Sequence, residues 1–103
     1  MSGVFPQTIR TFVAESANYT ANVGDFVNVT TGTSAITVTL PKSPGLGAIV
    51  TVKKVDSGTG AVTVVSADGS TVDGVVGTTG RAQAATQYLA WTLWNDGINW
   101  WQA

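Results

Sequence analysis

The chain has 103 residues, no cysteine, no histidine, and five basic against six acidic side chains, for a formal net charge of −1. These counts allow one compact domain and exclude a thiolate nucleophile, a Ser-His-Asp or Cys-His pair, a His/Cys zinc site and a redox cysteine pair. The charges are scattered without a basic stripe, which excludes a nucleic-acid footprint, and no segment approaches the ~18–20 apolar residues of a membrane-spanning helix.

Residues 1–13 differ in character from the rest. Gly3 and Pro6 break regular structure, and Val4, Phe5, Ile9 and Phe12 are spaced too irregularly for a helix. This stretch reads as an extended N-terminal arm, with Val4, Phe5, Ile9, Arg10 and Phe12 as candidate docking residues; an ordinary edge strand behind a frayed terminus is the alternative. Met1-Ser2-Gly3-Val4-Phe5-Pro6 lacks the basic start and apolar stretch of a signal peptide, so synthesis in a cytoplasm is expected.

Residues 14–103 read as one β domain. Valine and threonine dominate in short runs, while helix formers are scarce, with one glutamate and three lysines in the whole chain. Strands are expected at roughly 8–14, 26–30, 35–40, 48–55, 61–66, 71–76, 86–94 and 98–102, separated by Gly-, Asn-, Asp- and Pro-containing turns. Eight short strands at this spacing predict an all-β fold, a small antiparallel β-sandwich or barrel. Alternation puts Ile36, Val38 and Leu40 on one face and Thr37 and Thr39 on the other; Val50 and Val52 likewise oppose Thr51 and Lys53. Ala35-Ile36-Thr37-Val38 is echoed 26 residues later by Ala61-Val62-Thr63-Val64. In a chain so rich in Val and Thr the echo is assigned to composition, and no repeat is read from it.

Four motifs are set aside in turn. Asn18-Tyr19-Thr20 and Asn28-Val29-Thr30 match a glycosylation acceptor but have no secretory context. Gly45-Leu46-Gly47-Ala48-Ile49-Val50 starts like a dinucleotide loop, yet Val50 stands where the third glycine belongs and a β run follows instead of a helix. Asp68 and Asp73 lie close in sequence, but their spacing is not that of a calcium loop. Six scattered acids, several of them in turns, do not form a glycosidase pair. No catalytic, cofactor or metal site is assigned, and no enzyme activity is expected.

All four tryptophans fall in the last 13 residues. Asp96-Gly97 between two alternating runs is a hairpin signal, and a two-residue loop there pairs Asn95 with Ile98 and Leu93 with Trp100. One face then carries Leu89, Trp91, Leu93, Ile98 and Trp100, and the other Tyr88, Trp94 and Trp101. The domain hides one such face in its core; the second, an apolar patch if left in water, is read as a subunit interface. Burial inside the sandwich, cover of the outer face by the N-terminal segment, or a carbohydrate-stacking surface are the alternatives.

Thr37-Val38-Thr39-Leu40-Pro41, Gly47-Ala48-Ile49-Val50-Thr51-Val52-Lys53-Lys54, Ala61-Val62-Thr63-Val64-Val65, Thr71-Val72-Asp73-Gly74 and Asp96-Gly97-Ile98-Asn99-Trp100 together form a pattern over residues 35–101. It resembles a β module that recurs in bacteriophage structural proteins, on heads and in tail fibres and tips. The resemblance implies a homotrimer whose role is adhesion or structural stabilisation. A short chain with a docking arm suits a capsid decoration, or cement, protein, held on the major capsid protein at the outer surface of the virion. A tail-fibre or tip module contacting host carbohydrate is the alternative.

Overall fold

The computed structural model describes residues 10–76, 81–82 and 86–102. Two sheets pack face to face, and the chain winds between them. β1 (Thr11–Glu15), β3 (Asp25–Val29) and β5 (Ile49–Lys54) lie in one sheet; β2 (Tyr19–Thr20), β4 (Ile36–Thr39) and β6 (Val62–Val65) lie in the other. Each excursion to the opposite sheet returns the chain in its original sense, so neighbours within a sheet run parallel.

The C-terminal third closes the winding with reversed strands. β7 (Thr71–Val72) and β8 (Val75–Val76) form a hairpin, β9 (Arg81–Ala82) runs antiparallel to β6, and β10 (Ala90–Asn95) runs antiparallel to β5. β11 (Trp100–Gln102) sits between β10 and β7. The result is a seven-stranded sheet, β1-β3-β5-β10-β11-β7-β8, against a four-stranded one, β2-β4-β6-β9.

The fold is all-β, as the sequence predicts, but the expected antiparallel pairing gives way to mixed sheets. Among the described residues five pairings are parallel and four antiparallel. Period-2 alternation reports which face a residue takes and is blind to strand direction. The 26-residue echo, set aside as composition, coincides with one turn of the winding, that from β4 to β6. Ile36 pairs with Val62, Thr37 with Thr63 and Val38 with Val64, while Val27 and Val52 stand one turn apart in the other sheet. The arm boundary also moves: residues 11–13 belong to β1, paired in register with Asp25–Val27, and residues 1–9 lie outside the described residues.

The core fills the space between the sheets. Val27, Val29, Val50, Val52, Trp91, Leu93 and Trp100 from the large sheet meet Ile36, Val38, Leu40, Val62 and Val64 from the small one. Two polar clusters seal its margins. Asp25, buried, accepts from the Tyr19 hydroxyl at 2.7 Å and the Asn22 amide at 2.8 Å. That bond to a carboxylate, with some burial, pushes the Tyr19 phenol up to about 12.

Lys54 occupies an inward position of β5 and is fully buried. Its Nζ donates to Thr31 Oγ1 at 2.7 Å and to Asp56 Oδ1 at 2.8 Å. Asp56 also accepts from the amides of Thr31, Gly32 and Gly58, and with Lys54 foremost these donors hold its carboxyl well below the usual carboxylate range. Here successive turns of the winding lie flush. A Cβ on Gly58 would overlap the Gly32 carbonyl oxygen, and one on Gly60 the Ser34 carbonyl oxygen.

A candidate contact face on the large sheet

Inner positions of β5 and β10 (Val50, Val52, Trp91, Leu93) are buried, so pleating sends Ile49, Thr51, Lys53, Thr92 and Trp94 to the outside of the large sheet. Register then arranges them in rows. Ile49 opposes Trp94, which opposes Trp101 across β11. The next row runs Phe12, Phe26, Thr51, Thr92. Trp94, Trp101 and Ile49 remain 41%, 37% and 40% exposed, and Phe12 at the edge 65%. For directly opposed large apolar side chains these are high values, and no described element lies over them.

The hairpin that aligns the two tryptophans is built differently from the two-residue loop expected. Trp94 pairs with Trp101 and Asn95 with Trp100, leaving Asp96–Asn99 as a four-residue loop closed by Asp96 N–H donating to the Asn99 carbonyl at 3.0 Å. The Asp96 carboxylate accepts from Ile98 N at 2.9 Å, Asn99 N at 2.8 Å and Trp101 Nε1 at 2.9 Å. Those donors, the Asn99 amide first, hold Asp96 below the usual carboxylate range. The register slips by two, an even number, so the face assignment of the tryptophans survives. Ile98 does not keep its place: assigned to the inner face, it lies in the loop at 76% exposure. The two-residue turn with positive φ at both central residues occurs instead at Asp73-Gly74, between β7 and β8, with φ of +50° and +80°.

Arg10 covers the middle of the second row. Its Nη1 donates to Thr51 Oγ1 at 2.7 Å, its Nη2 to the Asp25 carbonyl at 2.6 Å and its Nε to the Gly24 carbonyl at 3.2 Å, and the guanidinium stands 5.7 Å from the Phe26 ring centroid. Thr51, which also shares a hydrogen bond with Thr92 at 3.2 Å, is buried beneath it. Arg10 is thus engaged within its own sheet.

The expected site residues therefore separate. Trp94 and Trp101 come together. Tyr88 is exposed but sits in the turn before β10, at the end of that strand away from Trp94, and there the Lys53 ammonium lies 5.7 Å from its ring centroid. Phe12 joins the second row, while Val4, Phe5 and Ile9 lie outside the described residues. Ile49 and Leu46 were overlooked by the sequence reading. Ile49 opens a run that looks like core, yet it shares the parity of Thr51 and Lys53 and points outward, opposite Trp94. Leu46, 81% exposed, lies beside the hairpin loop, where a Cβ on Gly97 would be 3.9 Å from its Cδ1.

Asp68 and Asp73 serve separate partners: Asp68 accepts from Ser43 N and from Ser70, Asp73 from Gln102 N. Among the described residues no group of three His, Cys, Asp or Glu could hold a metal ion, and no pocket opens. The candidate site is a face. Comparison with models of protein families, with curated proteins and with solved structures returned no match.

Proposed function

We propose that this chain is a bacteriophage virion structural protein: a capsid decoration protein that assembles as a homotrimer on the outer surface of the head and stabilises the shell without catalysis. The observation that carries the reading is the open aromatic row Ile49–Trp94–Trp101, a feature of contact surfaces. The likeness of residues 35–101 to a phage β module supports it.

In this reading the trimer bridges junctions between capsid subunits, and area buried at each junction opposes the outward pressure of packaged DNA. Residues 1–9 supply a tether to the major capsid protein. Val4, Phe5 and Ile9 give that segment apolar anchors. Many copies on a symmetric shell add avidity to a modest single contact.

The side-by-side indoles favour a second reading, a tail-tip module on which a host sugar ring stacks. Co-sedimentation with undecorated heads decides between the two. Binding to heads that is lost on deleting residues 1–9, a cut that spares Arg10 and β1, is the expected result. Binding to host cells that Trp101→Ala abolishes, with no binding to heads, would establish the tail-tip reading instead.

A further inference from the structure

The large sheet of this chain, built on the parallel trio β1-β3-β5, has the small sheet on its inner side and, among the described residues, only the Arg10 side chain on its outer side. The side chains left open on this outer side are mostly apolar. Ile49, Trp94 and Trp101 fill one row, Phe12 stands at the edge of the next, where Arg10 covers Thr51, and Leu46 and Ile98 lie in turns at the same end. Charge enters with Arg10, hydrogen-bonded over Thr51 in the second row, and with Lys53, which lies against Tyr88. An apolar centre with a polar rim is the layout of a protein interface.

The area fits as well. A whole aromatic side chain presents about 150–250 Å², so the exposed fractions of the large apolar residues on and beside this face add up to several hundred Å². That is close to the ~800 Å² each partner contributes to an interface of standard size. The Trp101 indole N–H is satisfied from within by Asp96, so its ring meets a covering surface without stranding a donor. A sugar ring would cover one or two indoles and leave Ile49, Phe12 and Leu46 in water.

We infer that the outer face of the large sheet is covered by the same face of further copies of this chain, with the Ile49–Trp94–Trp101 row at the centre of the seam. The inference deepens the self-association part of the proposed function and rests on it, but it is independent of head or tail location. Light scattering across a dilution series is the test. The wild type is expected to run at a multiple of 10.6 kDa. Trp94→Lys, at a half-exposed position, should weaken association at least 100-fold with unchanged circular dichroism, whereas Thr63→Lys on the outer face of the small sheet should leave it intact. Acrylamide quenching of the unmodified protein guards against misfolding of a variant, because dilution through dissociation must raise tryptophan accessibility.

A wild type that is monomeric at millimolar concentration overturns the inference. So does an oligomer that only Thr63→Lys disrupts, or one whose dissociation leaves quenching unchanged. Oligomers of the expected behaviour that ignore phage heads would refute the capsid reading and leave the seam standing; monomers that bind heads would do the reverse.

Discussion

The two sheets obey the same rule on their inner sides and different rules on their outer sides. In the small sheet Ile36, Val38, Val62 and Val64 point inward, and Thr37, Thr39 and Thr63 point outward with one valine, Val65. In the large sheet valines again point inward, but beside Thr51, Thr92 and Lys53 the outward positions hold Phe12, Phe26, Ile49, Trp94 and Trp101. Threonine and tryptophan are both good strand formers, so strand formation alone explains neither choice. Threonine hydroxyls suit water, and indoles suit a covering surface. The small sheet is finished as it stands, whereas the large sheet carries more apolar surface than its own fold covers.

The sharpest way to break that contrast is to compare tryptophans on opposite sides of one hairpin. Trp100 is fully buried, and Trp100→Ala should destabilise by about 3–5 kcal/mol in chemical unfolding, the range for large aromatic truncations in a core. Trp94→Ala, measured at a dilution where copies are separate, should cost under about 1 kcal/mol, as surface changes do. Equal losses would mean that the outer row belongs to the chain's own core. Among the described residues the Trp100 indole N–H has no hydrogen-bond partner. Trp100→Phe should therefore lose much less than Trp100→Ala, since it removes an unsatisfied donor along with the lost volume.

A second test concerns the charged exception to the aliphatic inner rule. Lys54 is buried and depends on Asp56 and Thr31. Asp56→Ala, which strands the ammonium, should destabilise more than Lys54→Met, which removes the charge and keeps the bulk. The acid limb of the stability curve should change as well. Because the folded Asp56 carboxyl is held below its ordinary 3.8, its contribution is fully present above that value and is lost as pH falls through the depressed folded value. Unfolding curves for Asp56→Asn should be flatter with pH over that acid range than those of the wild type. An unchanged acid limb would show that the cluster is dispensable.

Why some of this was legible in the sequence and some was not follows from what side chains encode. Strand positions and faces were readable at 36–40, 48–55 and 61–66 because alternation reports the pleat directly. Pairing partners were not, since the same alternation serves parallel and antiparallel neighbours. The one available clue was the 26-residue echo, whose chemical content is two stacked Ile/Val–Thr–Val ladders. Trp94 and Trp101 were placed on one face correctly although the loop between their strands was misjudged. Asp-Gly specifies a turn without specifying its length, and here the Asp96 carboxylate gathers two loop amides that a two-residue turn would not present. Arg10 escaped as a clamp because its partners are the carbonyls of Gly24 and Asp25 and a hydroxyl 41 residues away.

The smallest expected effect bears most directly on the contrast between outer faces. Thr63 sits half-buried on β6, with Thr37 opposite it on β4 and Ala82 on β9. Thr63→Lys exchanges one water-facing polar group for another and loses only some β propensity, so it should shift stability by no more than about 0.5 kcal/mol. The long lysine stem lies along the sheet while its ammonium stays hydrated. A loss several times larger would mean that the threonine face is also covered. The distinction between a finished sheet and an unfinished one would then disappear, because both outer faces would need a partner.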